Sequence, residues 1–280
     1  MADAAETVVV ACAQVAPVLG DAAANRELAA GAVAGAVAAG ASVVVLPELL
    51  SSGYVFESVA EARAWAEPAD GPMVTLWTRL AAGHGAVIVG GFCESDGDLV
   101  YNSAALVSPD GLQCVYRKAH LWDAERLWFT PGDGAPPVVA TPFGRIGVLI
   151  CYDLEFPEWV RLPALDGAQL LCAPVNWPAA PRPAGERPAE VTRVQAGAGV
   201  NRMFVAACDR TGEERGVAWA AASVIADPDG YLLAAVEPGS GPAAIAAECR
   251  LADALNKSVS RYSDIHADRR PGLYRGVTTR

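Results

Sequence analysis

Apolar residues along this chain fall into short runs, many rich in valine, separated by stretches in which apolar side chains recur every three or four positions. Short β-branched runs fit buried strands, and the second pattern fits helices that pack along one face. The runs at 8–14, 42–47, 86–93, 102–107, 113–117, 146–152, 169–173, 204–208, 221–225, 231–236 and 244–248 are predicted as strands. Residues 22–39, 72–84, 157–166 and 188–202 are predicted as helices, three of them opening at or beside Pro72, Pro157 and Pro188. A proline at a helix start loses nothing, because the N–H it lacks has no acceptor there. Strands alternating with helices from end to end predict an α/β fold.

Two connections differ from the rest. Ser108-Pro109-Asp110-Gly111 and Asp227-Pro228-Asp229-Gly230 each join two apolar runs, and Pro-Asp-Gly is turn chemistry, so both read as hairpins. Their flanks are loosely alike, which hints at two similar halves and two sheets packed face to face. The one long irregular stretch, 176–188, carries Pro178, Pro181, Pro183 and Pro188. A loop of that length in a compact domain is commonly functional, which places it near a site.

Residues 28–46 form an apolar stretch long enough to raise a membrane span, with a G-x-x-x-G at Gly31 and Gly35. An Ala-rich helix ending at Gly40, followed by the buried strand Val43-Val44-Val45-Leu46, explains it better. No membrane association is expected. The 280 residues fit a single domain, and 32 acidic against 21 basic side chains, a net charge of −11, argue against a nucleic-acid partner. The seven cysteines are an odd set without a C-x-x-C pair, so neither a disulfide framework nor a zinc ribbon is expected. The acidic start Met1-Ala2-Asp3-Ala4-Ala5-Glu6, with only 8–13 apolar behind it, gives no export signal. The glycosylation-like Asn256-Lys257-Ser258 is then a chance match, and a reducing, cytoplasmic location is expected.

Cys151 closes the run Ile146-Gly147-Val148-Leu149-Ile150 and is followed at once by the helix-opening Tyr152-Asp153-Leu154-Glu155-Phe156-Pro157. A strand-to-helix turn exposes a side chain at the strand end and aims the next amides at an incoming oxyanion. A cysteine elsewhere in an apolar run is ordinarily a small core residue, and the other six are read so. The three histidines offer no good base: His84 and His266 read as solvated, and His120 as a packing or supporting residue. Better partners are Glu48, directly after a buried strand, and Lys118, after another, since strand ends are where α/β proteins build sites.

Glu48 in L-P-E-L-L-S-S-G-Y, Lys118 in Y-R-K-A-H-L-W and Cys151 in G-V-L-I-C-Y-D-L-E-F-P-E stand in an order and context that resemble the nitrilase superfamily of carbon–nitrogen hydrolases. The likeness continues through Pro131-Gly132-Asp133, Ala173-Pro174-Val175-Asn176-Trp177-Pro178 and Arg269-Arg270-Pro271-Gly272-Leu273-Tyr274, and so covers nearly the whole chain. It implies a four-layer α-β-β-α sandwich. It also implies a second glutamate between lysine and cysteine, for which Glu125, seven residues past Lys118, fits better than Asp123. One departure is Asp209 before Arg210, where many members have asparagine.

The resemblance implies catalysis by Glu48, Lys118, Glu125 and Cys151, with no metal and no cofactor, on a small amide and water. Tyr152 and Asp153 after the cysteine are similar to the amidase-type branches, where true nitrilases commonly carry Trp and Glu. An aliphatic amidase is therefore expected, with Tyr54, Tyr152, Asn176 and Trp177 as substrate-binding residues and a short neutral amide favoured because no basic cluster adjoins the motifs. Nitrile, N-carbamoyl-amine and ω-amide substrates are the alternatives, and an inactive scaffold subunit is the reading outside enzymes. A homodimer or higher homo-oligomer is implied, built through the helices after Cys151 and a C-terminal tail at 257–280.

Overall fold

Val43, Val44 and Val45 form a three-residue strand buried on both sides, and its alternating side chains set the layering. Val43 and Val45 point into the core between two sheets, while Val44 points the other way, into a core shared with two helices. The computed structural model describes residues 7–278. The acidic N-terminal segment read as lacking an export signal lies outside these residues, as do the last two positions of the tail.

The first sheet runs, in spatial order, Ala243–Cys249, Val8–Gln14, Val43–Val45, Val87–Asp96, Leu99–Ser108 and Gly111–Arg117. The second runs Val138–Thr141, Gly144–Val148, Leu170–Pro174, Phe204–Cys208, Val224–Ala226 and Leu232–Ala235. In each, three central strands are parallel and the flanking ones antiparallel, so the two sheets repeat one pattern of strand directions, the edge strand Ala243–Cys249 arriving from the far end of the chain. The two Pro-Asp-Gly turns occupy equivalent places, each leading into the last strand of its sheet. Ala22–Ala38 and Pro72–His84 cover the outer face of the first sheet. Pro157–Leu165 and Ala189–Asn201 cover the second, giving the four-layer α-β-β-α sandwich.

Ala22–Ala38 accounts for most of the stretch that resembled a membrane span. Asp21 caps it by accepting from the Ala24 N–H at 2.9 Å, its small residues let it lie flat on the sheet, and Gly40 turns the chain at φ +96° into the next strand. No helix among the described residues is long and apolar enough to cross a membrane.

Three differences from the predicted elements have local causes. The strand predicted over 146–152 ends at Val148, because Cys151 adopts φ +44° and opens a 3-10 turn, Cys151–Glu155. The edge strand Val138–Thr141 is too short and half-buried to leave a pattern. The helix Val59–Trp65 is also short, nucleated by Ser58 accepting from the Glu61 N–H at 3.1 Å.

Candidate active site

Glu48 is placed by the strand beside it. Pro47 ends Val43–Val45, and the next residues hydrogen-bond across to Val87–Asp96: Gly91 N–H to Pro47 O at 3.0 Å and Leu50 N–H to Gly91 O at 2.8 Å. A Cβ on Gly91 would lie 2.5 Å from the Glu48 Cα and 2.6 Å from the Leu49 nitrogen. Only glycine lets the two backbones approach this closely. Lys118 follows Gly111–Arg117, its N–H bonded to Asn102 O at 2.8 Å and its carbonyl accepting from Gly132 N–H at 2.9 Å. Glu125 opens the short helix Glu125–Trp128, and its Oε2 accepts from the Trp122 N–H at 2.9 Å.

These three side chains meet in the interior. Lys118 Nζ donates to Glu48 Oε1 and to Glu125 Oε1, both at 2.7 Å, and all three are essentially inaccessible to solvent. Asn102 Nδ2 bridges the same two oxygens at 2.7 and 3.2 Å, and Tyr54 Oη donates to Glu125 Oε1 at 2.6 Å. Glu125 is thus fully engaged, whereas Glu48 Oε2 is buried with no hydrogen-bond partner among the described residues. A buried carboxylate oxygen without a donor is unusual and is available to a proton that arrives later.

Burial pushes the Glu48 carboxyl up to about 7, against the pull of Lys118 and with a further push from Glu125. Burial alone would lower Lys118, but the charges of Glu125 and Glu48 outweigh it and hold the ammonium above its ordinary range. Burial and the Glu48 charge raise the Cys151 thiol, with Lys118 opposing, so the resting sulfur keeps its proton. Tyr54 likewise stays protonated, through burial and the Glu125 and Glu48 charges, as its donor role requires.

Cys151 stands at the end of Gly144–Val148 in a left-handed conformation that a non-glycine residue holds only when its surroundings insist. The surroundings here are Asp153, fully buried, which accepts from Ile150 N–H at 3.2 Å, Tyr116 Oη at 2.7 Å and His120 N–H at 3.1 Å, with His120 Nδ1 at 2.7 Å. One carboxylate therefore ties the cysteine turn to the chain on either side of Lys118. The amides of Cys151 and Tyr152 are the first of their turn and have no acceptor inside it. Asp153→Asn is expected to shift Lys118 against these amides and lower amide turnover by up to about 100-fold. Alkylation of Cys151 by iodoacetamide passes through no oxyanion and should stay within about twofold of wild type. A parallel fall in both rates would mean that the turn itself had collapsed.

The expected substrate-binding residues divide. Tyr54 packs edge-on against Trp219 with its ring centroid 5.3 Å away, and Tyr152 against Phe156 at 5.2 Å. Asn176 donates from Nδ2 to Glu48 O at 2.9 Å, and its carbonyl is 3.9 Å from Cys151 Sγ. Trp177 is buried, with its N–H bonded to Asp209 Oδ1 at 3.0 Å. The departure at Asp209 thus has a local use: its carboxylate also accepts from the N–H groups of Arg210 and Ala222. Arg210 pairs with Glu214 at 2.5 Å, and Glu214 accepts from the N–H groups of Tyr54 and Val55 at 2.9 and 3.1 Å.

Sequence reasoning did not single out Asn102, Asp153 or Glu214 as parts of this assembly. It read His120 correctly as a supporting residue, stacked 3.8 Å from Phe156. His84 is exposed, but His266 is partly buried near Lys257 and Arg161 rather than solvated. Asp123 is exposed. All seven cysteines are free.

The sequence pattern of the carbon-nitrogen hydrolase family matches residues 9–254. A nitrilase of Pyrococcus abyssi is 37% identical over 238 residues, covering 84% of this chain and 87% of its own. An N-carbamoylputrescine amidase of Arabidopsis thaliana is 32% identical over 259 residues, covering 86% of each. Among solved structures, an amidase from Nesterenkonia sp. superposes with a TM-score of 0.80 at 25% identity, covering 98% of both chains. The Nesterenkonia sp. AN1 amidase has also been solved as a cysteine-to-alanine mutant in complex with butyramide.

Proposed function

Because the chain belongs to the carbon–nitrogen hydrolase family, we propose that it hydrolyses a small, aliphatic carboxylic amide to the acid and ammonia through a thioester on Cys151. The observation that supports this reading best is the buried Lys118, bonded at 2.7 Å to both Glu48 and Glu125. That arrangement keeps a full positive charge where an oxyanion develops and leaves one carboxylate oxygen free to handle protons.

In this reading Glu48 takes the Cys151 proton as sulfur bonds to the amide carbon, and the oxygen of the tetrahedral species is held by Lys118 Nζ and the Tyr152 N–H. Glu48 returns the proton to the nitrogen, the C–N bond breaks, and ammonia leaves a thioester. Water then attacks the thioester carbonyl, giving a proton to Glu48. The C–S bond breaks, the acid departs, and Glu48 reprotonates the sulfur. Glu125, engaged by four donors, fixes Lys118 and the substrate amide. Tyr54, Tyr152, Asn176 and Trp177 surround the acyl group.

Glu48 must be ionised to accept the thiol proton. Since its carboxyl is pushed up to about 7 by burial and the Glu125 charge, kcat/KM is expected to fall as pH drops through that value. A profile flat down to about pH 5 would exclude Glu48 as the base.

Ammonia release from propionamide, propionitrile, a carbamoyl amine and an ω-amide, with Cys151→Ala alongside, tests the reaction. Release from propionamide that disappears in the variant is the expected result. Release from the nitrile alone would make the chain a nitrilase.

The whole chain reads as one catalytic domain that pairs into a homodimer. Support comes from exposed Leu162, Leu165, Val200, Val259, Tyr262 and Leu273 on the two outer helices and the C-terminal tail. Deleting the tail after Asn256 is expected to yield a monomer by light scattering, and a truncated chain still dimeric would refute this role. Our reading puts the enzyme in the cytoplasm, supported by seven unpaired thiols.

A further inference from the structure

Asn102 lies on Leu99–Ser108 and is only 1% exposed. By the two-residue period of a strand it shares a face with Ala104 and Leu106, which belong to the core between the two sheets. A polar amide there is matched on one side only. Its Nδ2 gives both hydrogens away, to Glu48 Oε1 at 2.7 Å and to Glu125 Oε1 at 3.2 Å, while Oδ1 is buried with no donor among the described residues. The orphaned oxygen carries the cost of a lost hydrogen bond, so a leucine of similar volume would suit the core better. Stability alone does not explain an asparagine at this position.

The state of Glu48 does explain it. Lys118 Nζ donates to the same two Oε1 atoms, so the two carboxylates, the amide and the ammonium close a ring of hydrogen bonds. Lys118 alone would not fix that ring, because a carboxylate turns easily about its terminal bond and could offer both oxygens to one ammonium. With Nδ2 and Nζ both on Oε1, Glu48 Oε2 stays outside the ring and has no partner among the described residues. The main chain is tied as well: Asn102 O accepts the Lys118 N–H at 2.8 Å, and Asn176 Nδ2 donates to Glu48 O at 2.9 Å. Being neutral, the Asn102 amide adds a donor without cancelling the net negative charge of two carboxylates and one ammonium, so Glu48 remains a base. We infer that Asn102 is a positioning residue for the hydrolysis, holding Glu48 by Oε1 so that Oε2 is the atom that exchanges protons with Cys151. The inference rests on Glu48 acting as the base in the amidase reading.

The test follows kcat and KM for propionamide from about pH 5 to about pH 9 in wild type and in Asn102→Leu, which fills the space without the donor, with thermal melting alongside. Glu48 faces Lys118, Glu125, the Cys151 thiol, Tyr54 and Arg210, and the substitution alters none of them. A hydrogen bond to an ionised carboxyl lowers it, so losing the Asn102 donor should move the midpoint of the kcat/KM profile upward from about 7. The ratio of kcat/KM at about pH 9 to that at about pH 6 should rise about three- to tenfold over wild type. At about pH 9 kcat should be about 10- to 100-fold lower with KM within about threefold, as expected when a base is displaced and binding is not. Asn102→Ser, which keeps one donor on a smaller side chain, should shift the midpoint in the same direction by less. A midpoint that stays put in Asn102→Leu, or in Asn102→Ser should the leucine variant not fold, overturns the inference and leaves Glu48 as the base. So does a rise in KM at unchanged kcat, whereas a wild-type profile flat down to about pH 5 overturns both.

Discussion

Replacing Cys151 by alanine is expected to lower amide turnover by about 100,000-fold or more while leaving the fold in place. In the proposed mechanism the sulfur carries the acyl chain, and removing the nucleophile from a cooperating set costs about as much as removing the whole set. The side chain is small and only 8% exposed, so the lost atom opens little space. Thermal melting should change by a few degrees, and substrate should still bind, since the amides of the turn and Lys118 remain. Ammonia release measured with excess enzyme over hours gives the residual rate. Residual activity within about 100-fold of wild type would place the nucleophile elsewhere.

Lys118→Met is expected to damage both turnover and stability. Loss of one oxyanion donor costs on the order of 100 to 1,000-fold in turnover. Loss of the cation also leaves the buried Glu48 and Glu125 facing each other with only the neutral Asn102 amide shared between them. Breaking a buried ion pair from one side costs about 3–5 kcal/mol. The sign of the pH dependence follows from the carboxyls. Burial already raises the Glu48 carboxyl and Lys118 opposes it, so without Lys118 it lies further above its unfolded value; stability is then present while Glu48 is protonated and is lost as pH rises and it ionises. Urea unfolding should therefore show a small deficit against wild type near pH 5 and a large one at pH 8. A deficit independent of pH would mean that the methionine fails for reasons of shape.

Glu48, Lys118 and Cys151 each close an apolar run, where sequence pattern and site can coincide, but it was their shared order, resembling the nitrilase superfamily, that set them apart from ordinary strand-end residues. Glu125 came only from the resemblance, which implies a second glutamate between the lysine and the cysteine. Asn102 was visible as a polar residue opening an apolar run, but its partner Glu48 lies 54 positions away, and nothing local announces that contact. The same holds for Glu214, which holds the Tyr54 amide from 160 positions away. Asp153 looked like a turn residue, which it is. Its grip on Tyr116 and His120 depends on how the two sheets meet, and no window of sequence contains that.

At the level of the fold, the two Pro-Asp-Gly turns carried more information than their length suggests. They mark equivalent hairpins in sheets whose strand directions match from edge to edge, so a local turn signal exposed a global likeness. The strand end at Val148 was misjudged because Leu149, Ile150 and Cys151 continue the apolar run while the backbone has already left the sheet. The turn there is fixed by side-chain bonds to Asp153, which hydrophobicity does not report.

The thioester can be observed as a mass. Wild type mixed with an excess of amide and quenched in acid within milliseconds to seconds should gain the mass of one acyl group, mapped to the peptide that contains Cys151. The Cys151→Ala protein should gain none. Turnover by wild type with no acyl adduct at any quench time, or an adduct that maps to another residue, would contradict covalent catalysis at Cys151.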